Sequence, residues 1–328
     1  MTGRRIRFAQ LSDIHIMQPQ RCRCQWMPAD PVEILQQAIE QVQAIPDLDF
    51  VVFTGDLVDE ADRLSFEQFG QVVSQLRVPY YFSVGNHDID EPISETSAAD
   101  SGVRQQGDLD TFNRADFLNW CRQHFHLEAA TTGWADFVVT PLPGLRLMAM
   151  DASLGPCPDP QGIVRPPQLA WLQEQLDRYR DELVILAIHQ PPLASVLFRN
   201  HRMLPDSARQ LRAMLKTHRY VAAVLSGHLH TPKVYARRNT AFLTAPPLVG
   251  PFCAFRVIDL EAPISSAPDR QWGQLHYRWH PLQLANGKPK LMWRALARGR
   301  SPDREGSIPI AFPVNWGDRL CQSSPLTV

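Results

Sequence analysis

The sequence predicts an α/β protein built on parallel strands that stop at polar, ligand-type residues. Three observations predict it. Apolar runs alternate with amphipathic stretches in a strand, helix, strand, helix, strand order near the N-terminus. Several of those runs end abruptly in Asp, His or Asn. The chain has 328 residues, 44% hydrophobic and 20% charged, an ordinary globular usage with enough apolar surface for a sizeable core. That composition argues against disorder, and the length fits one large α/β unit with an appendage.

Ile6 to Leu11 reads as a short strand ending in Ser12-Asp13-Ile14-His15. A helix is expected over Pro31 to Ala44, because Val32, Leu35, Ile39 and Val42 recur at helical spacing and Pro31 suits a first turn. Phe50-Val51-Val52-Phe53 is continuously apolar, as in a buried parallel strand, and gives way to Thr54-Gly55-Asp56. A helix over Arg63 to Leu76 and a strand over Tyr80 to Val84 follow, the strand ending in Gly85-Asn86-His87-Asp88. Residues 88 to 116 are polar and acid-rich, and read as a surface insertion near the site: a solvated loop or a substrate-facing cap.

Strands are expected again at Asp136 to Val139 and Leu145 to Met150. A helix with Leu169, Leu172 and Leu176 on one face follows Arg165-Pro166-Pro167. Leu183 to Ile188 is a buried strand stopping at His189. After a helix around Ser207 to Leu215, Val221 to Leu225 runs into Ser226-Gly227-His228-Leu229-His230. From Thr240 the pattern becomes β-hairpins: Ala241 to Thr244, Phe252 to Leu260 and Gln274 to Pro281. In the last, Leu275, Tyr277 and Trp279 alternate with His276, Arg278 and His280, so both histidines are expected at the surface. The tail from about Asn286 carries Lys290, Arg294, Arg298, Arg300 and Arg304 among Pro, Gly and Ser, and reads as a wrapped or partly disordered extension. Residues 1–262 therefore form the expected main domain, and 263–328 a C-terminal β-hairpin and basic extension.

Other classes fit less well. A net charge of −1 gives no global basic field for nucleic acid. Arg237-Arg238 and the basic tail lack the interleaved aromatics of a strand-binding groove, so a solvated surface is expected there. The six cysteines show no paired zinc-ribbon spacing, and reduced thiols in a cytoplasmic protein are the plain reading. Cys22 and Cys24 form a lone CxC, taken as incidental. The N-terminal apolar stretch is too short and too interrupted for a signal peptide, and no window approaches 18 uninterrupted apolar residues.

The repetition at strand ends carries the chemistry. Five runs end in Asp-x-His, Gly-Asp, Gly-Asn-His-Asp, His and Gly-His-x-His. In a parallel α/β sheet ligands bind beyond the carboxyl ends of the strands, so these residues are expected to converge on one edge. Imidazole, carboxylate and amide oxygen together suit divalent Zn, Mn or Fe. One such residue beside a strand is ordinarily a cap or a turn residue. A given tetrapeptide such as Gly-Asn-His-Asp arises by chance in about one chain in 500 of this length, and four further motifs in order make coincidence a poor explanation. Clustered carboxylates and imidazoles also call for a cation to offset desolvation and repulsion.

The set Asp13-x-His15, Gly55-Asp56, Gly85-Asn86-His87-Asp88, His189 and Gly227-His228-Leu229-His230 resembles the calcineurin-like metallophosphoesterases, and within them the bacterial class III cyclic-nucleotide phosphodiesterases. The resemblance covers roughly residues 5 to 262. It implies a four-layer α/β/β/α sandwich of two mixed sheets flanked by helices. It also implies two metal ions, Mn, Fe or Zn: one held by Asp13, His15 and His230, the other by Asn86, His189 and His228, with Asp56 bridging. His87 would then act beside the substrate, with Asp88 orienting it. A small-molecule phosphate ester such as cyclic AMP and a homodimer complete the expectation.

Two ions roughly 3.5 to 4 Å apart can hold a bridging water whose pKa falls toward about 7, giving a hydroxide nucleophile. About +4 from the ions, less two carboxylates and one hydroxide, leaves about +1 to attract phosphate. His87 as an imidazolium could serve the departing alkoxide. Related lipid-precursor pyrophosphatases usually carry Arg where His87 stands, which counts against that activity. Cyclic-nucleotide enzymes often continue the fourth motif as His-His-Pro, whereas Gln190 follows His189 here. A phosphomonoesterase remains the enzymatic alternative, and a scaffold that kept the fold is the non-enzymatic one. Such a scaffold should lack ligands, and none is missing. Residues 88 to 130, Asn200 and His201 are the candidates for substrate contacts.

Overall fold

The computed structural model describes residues 5–18, 30–91, 110–154, 157, 159–192, 201, 203–250, 252–262, 271–284, 300–313 and 316. Cys22, Cys24, Asn200, the stretch 92–109 of the acid-rich insertion, and Lys290, Arg294 and Arg298 lie outside the described residues.

Three parallel neighbours open the chain: β1 (Arg5–Leu11), β2 (Phe50–Thr54) and β3 (Tyr80–Ser83). Between them run α1 (Pro31–Gln43) and α2 (Arg63–Val73), both close to the expected bounds. Asp30 caps α1 by accepting from Val32 N, and Asp62 caps α2 by accepting from Ser65 N. Their apolar faces, Ile34, Leu35, Ala38 and Val42 on α1 and Phe66, Phe69 and Val73 on α2, are fully buried.

Next come α3 (Arg114–Cys121), β4 (Glu128–Ala129), β5 (Phe137–Leu142), β6 (Leu145–Met150), α4 (Pro166–Arg178), β7 (Leu183–Ile188), α5 (Pro205–Leu215) and β8 (Val221–Ser226). The chain continues with β9 (Lys233–Arg237), β10 (Thr240–Thr244), β11 (Ala254–Glu261), β12 (Gln271–Pro281), α6 (Ser301–Arg304) and β13 (Glu305–Phe312).

The strands form two mixed sheets. One has the order β13-β12-β11-β1-β2-β3, the other β4-β5-β6-β7-β8-β10-β9. Alternation along the second sheet assigns its two faces. Leu147, Ala149, Ile185, Ala187, Ala223 and Leu225 join the core shared with the first sheet. Met148, Met150, Leu186, Ile188 and Val224 pack instead with Leu172 of α4 and Leu211 of α5. The result is four layers, helix, sheet, sheet and helix, with β2, β7, β8 and β10 buried throughout.

Three features differ from the linear reading. The strand ends of interest lie on two sheets, not on one edge, because β1 to β3 belong to the first and β7 and β8 to the second. The polar insertion contains the start of α3, where Asn113 and Asp116 form a capping box and Phe117 and Trp120 turn inward. The basic extension holds β13, which pairs with β12 while β12 pairs with β11, so residues beyond 263 complete the first sheet. His276 and His280 are partly exposed while Leu275, Tyr277 and Trp279 are buried, as the alternation implied. No helix among the described residues is long and apolar enough to cross a membrane.

Candidate metal centre

Asp13 and His15 follow β1, Asp56 follows β2, Asn86 and His87 follow β3, His189 follows β7, and His228 and His230 follow β8. Backbone ties bring these loops together. Asp13 N donates to Gly55 O at 3.1 Å, His15 N to Asp56 O at 3.1 Å and Gly227 N to His189 O at 3.0 Å. The approach is close enough to demand glycine. A Cβ on Gly55 would stand 2.6 Å from His189 Nδ1, and one on Gly227 would collide with Ser12 Oγ.

The backbone at these positions is unusual. Asp13, His15, Asp56, His228 and His230 have φ of 57, 52, 53, 72 and 48°, five of the eight described non-glycine residues in the left-handed region. Each such residue costs on the order of 1–3 kcal/mol and persists where the surroundings impose it. Their concentration here shows that side-chain aim outweighs backbone comfort.

Ligand-type atoms gather in two groups that share one residue. Asp13, His15, Asp56 and His230 form the first, and Asp56, His189 and His228 the second, with one atom from each residue within 4.8 Å of the others in its group. Asp56 Oδ2 lies 3.7 Å from His15 Nε2 and 2.9 Å from His189 Nε2. Asn86 is buried, with its Oδ1 at 3.5 Å from the amide of Gln190, the residue after His189.

The tautomers follow from the outer partners. His189 Nδ1 donates to Thr54 O at 2.7 Å and His15 Nδ1 to Asp59 Oδ1 at 3.1 Å, which leaves each Nε2 lone pair facing inward in the neutral ring. Asp13 Oδ2, His189 Nε2 and His228 Nε2 are buried and find no hydrogen-bond partner among the described residues. His189 Nε2 lies 2.9 Å from Asp56 Oδ2, close enough that one cation between them would satisfy both. Buried acceptors converging in this way fit a cation as their common partner.

Electrostatics agree. Burial pushes Asp13 and Asp56 up, but the surrounding imidazoles outweigh it and hold both carboxyls below the usual range. Burial drives His228 down to about 3, so its lone pair is free. His189 is opposed by burial yet lifted to about 9 by Asp56, a measure of how strongly the carboxylates draw positive charge.

His87 stands at the rim, its side chain 23% exposed. Its backbone N–H donates to Asp56 Oδ1 at 3.0 Å and its Nδ1 to the Asp59 carbonyl at 2.8 Å. Burial opposes charge on this ring, but Asp56 and Asp59 outweigh it and hold the imidazole well above its ordinary value.

The expected role of Asp88 as the partner of His87 does not match its contacts. Its Oδ1 accepts from Leu57 N at 2.8 Å and Val58 N at 3.1 Å, and its Oδ2 from Gly85 N at 2.7 Å. Asp88 therefore clamps the loop after β2 to the loop after β3. Burial and the neighbouring Asp56 raise it to about 7.

The residue that sequence reasoning missed is Asp59, which receives His15 and lies 3.4 Å from His87 Nδ1. His15, Asp59 and His87 also make a ligand-like group. Here both facing ring nitrogens have protons to donate, so it is a hydrogen-bonded relay. The signal was a second Asp three residues after Asp56. His201, an expected substrate contact, has its ring centroid 5.7 Å from that of His228.

The family model described as calcineurin-like phosphoesterase matches residues 6–232. A protein of Arcobacter nitrofigilis named as a probable glycerophosphodiester phosphodiesterase is 26% identical over 238 residues, 72% of this chain and 76% of that one. A 3',5'-cyclic-nucleotide phosphodiesterase of Nostoc sp. is 23% identical over 242 residues, 74% of this chain and 77% of the relative. Among solved structures, a dimetal phosphatase from Danio rerio superposes with a TM-score of 0.59 at 13% identity, covering 85% of this chain and 99% of that one.

Proposed function

The chain belongs to the calcineurin-like phosphoesterase family and is a metal-dependent phosphoric ester hydrolase; from that premise we propose that it hydrolyses a phosphodiester, with a 3',5'-cyclic nucleotide such as cyclic AMP as the best-fitting substrate. The family and the His/Asp clusters together suggest a dinuclear centre. The observation that carries this reading is the sharing of Asp56 between two ligand groups, with His87 at their rim.

In this reading Asp13, His15 and His230 would hold one ion and Asn86, His189 and His228 the other, with Asp56 available to both. Two bound divalent cations would make a water nucleophilic near neutral pH and offset phosphate charge. The chain's own groups do the rest. Asp59 holds His15 in the tautomer that presents Nε2, while the Asp59 carbonyl fixes the ring of His87. His87 presents its Nε2 proton to the departing alkoxide, whose charge would otherwise be uncompensated. His201, beside His228, is the substrate contact on that side of the site. Asp88 acts only by keeping the two loops in register.

A glycerophosphodiester is the second reading, favoured by the 26% identity to the Arcobacter protein. The test is an assay of purified protein with added Mn or Zn on cyclic AMP, glycerophosphocholine and 5'-AMP, with Asp56→Ala in parallel. Cyclic AMP should turn over. Asp56→Ala should lose metal and more than about 100-fold in rate, since even residues outside the ligand set change affinity or activity 10–100-fold. Hydrolysis of glycerophosphocholine alone would select the second reading, and of 5'-AMP alone a monoesterase. No hydrolysis by metal-loaded protein would overturn the enzyme reading.

A further inference from the structure

A second concave surface lies at the other end of the strands that lead to the metal centre. A cleft of about 520 Å³ is lined by the end of α5, the segment before β8, the β9–β10 turn and Trp272 of β12. His228 follows the C-terminal end of β8, whereas this cleft lies at its N-terminal end, five residue steps or roughly 17 Å away at strand rise.

The charged lining is all of one sign. Arg212, Lys216, Arg219, Arg237 and Arg238 face the cleft, no carboxylate lines it, and none of the five takes part in an ion pair among the described residues. The chain as a whole carries a net charge of −1, so this is a local concentration.

Part of it has a local account. Arg212 and Lys216 sit at the C-terminal end of α5, where cations complement the helix dipole, and Arg238 Nη1 donates to Lys216 O at 3.4 Å. Arg212 also reaches Pro192 O. Arg219 and Arg237 have no such balance among the described residues, the first lying at 5.9 Å over the ring of Tyr220. Crowding is felt within the set, since Arg212 is pushed down by burial and by the charge of Arg237. The remaining wall is apolar: Leu215 and Phe242 are buried, and Trp272 is 43% exposed at the mouth.

We propose that this cleft is a second ligand site, taking a nucleoside polyphosphate whose phosphates meet the five cations and whose base stacks on Trp272. Arginine forks match phosphate oxygens, an exposed indole gives a base a stacking surface, and the volume falls in the usual range for small-molecule sites. The ligand here lies too far from the clustered His and Asp side chains to be the one hydrolysed. The proposal does not depend on the phosphodiesterase reading.

Calorimetric titration of the full, metal-loaded chain with ATP, inorganic tripolyphosphate and adenosine tests it, using Lys216→Glu/Arg237→Glu, Trp272→Ala and Asp56→Asn. All of Lys216, Arg237 and Trp272 are exposed, so their variants should fold, which circular dichroism checks. ATP should bind more tightly than tripolyphosphate and far more tightly than adenosine. The double charge reversal should weaken ATP about tenfold or more, one decade for each 1.4 kcal/mol lost. Trp272→Ala should weaken ATP several-fold, leaving tripolyphosphate unchanged, and Asp56→Asn should bind ATP at this site as before. Absence of ATP binding, or binding that survives the double reversal, overturns the proposal. So does binding abolished by Asp56→Asn, which would place ATP in the metal centre. Equal affinity for ATP and tripolyphosphate, with no effect of Trp272→Ala, would overturn the nucleotide assignment.

Discussion

Asp59 Oδ1 accepts from His15 Nδ1 at 3.1 Å and stands 3.4 Å from His87 Nδ1, so one carboxylate outside both shared ligand groups touches a proposed ligand and the proposed proton donor. Burial pushes Asp59 up, but these two imidazoles outweigh it and hold the carboxyl well below the usual range. Asp59→Asn keeps the shape and removes the charge. Turnover of a diester with a poor leaving group should then fall roughly 10- to 100-fold, the range for partners of metal-ligating histidines. The loss should be smaller on a nitrophenyl ester, whose leaving group needs no proton. A general acid must be protonated, and loss of a neighbouring negative charge lowers the pKa of His87. The alkaline limb of the pH–rate profile should therefore move to lower pH, with metal content retained. An unmoved limb would make Asp59 merely structural.

At the level of elements, Asp136 joins the start of β5 to the end of β6 and the first turn of α4. Its Oδ1 accepts from Asp151 N at 2.9 Å and Gln168 Nε2 at 2.9 Å, and its Oδ2 from Thr132 Oγ1 at 2.7 Å. Burial, with Asp151 beside it, raises this carboxyl to about 7. An acid with a raised folded pKa holds a proton that the unfolded chain has released. Its contribution to stability is fully present below about pH 4 and is lost as pH rises to about 7, at up to roughly 1.4 kcal/mol per pH unit. In Asp136→Asn the amide can donate to Thr132 while its oxygen keeps the other partners. The fall in unfolding free energy between pH 5 and 7, read by denaturant titration, should therefore be shallower in the variant. An unchanged slope would show that Asp136 titrates normally.

Across the whole molecule, the two sheets are tied by a fully buried cation. Arg256 of β11 donates to Thr244 O of β10 at 3.0 Å and to Asp303 O of α6 at 3.2 Å. One guanidinium thus fastens the first sheet to the second and to the C-terminal segment. Arg256→Met removes both donors and should cost roughly 2–4 kcal/mol, two buried carbonyls losing a partner at about 1–3 kcal/mol each, offset by easier burial of the thioether. Chemical denaturation reads this, and a change within about 0.5 kcal/mol would show that the tie contributes nothing.

The same joining of sheets limits what could be read from the chain alone. The βαβαβ order, the buried strands and the polar residues at their ends were legible because alternation and helical spacing are local properties of neighbouring residues. Asp13, His15, Asp56, Asn86, His87, His189, His228 and His230 were legible for the same reason: each follows directly on an apolar run. The start of α3 hides in a polar stretch, its eight residues too few to show a period. Within β13, Ile308, Ile310 and Phe312 alternate with Ser307, Pro309 and Ala311, but the proline and the surrounding basic residues masked that signal. Asp59 and Asp88 are 29 positions apart, and nothing local says which of them meets His87. That choice is made by the pairing of β2 with β3 and the backbone donors it places before Asp88. Which residue types stand at the ends of the strands follows from the order of amino acids alone. Only the tertiary structure decided that two sheets, not one, bring them together around Asp56, because contacts between sheets depend on burial across the core and leave no local periodicity.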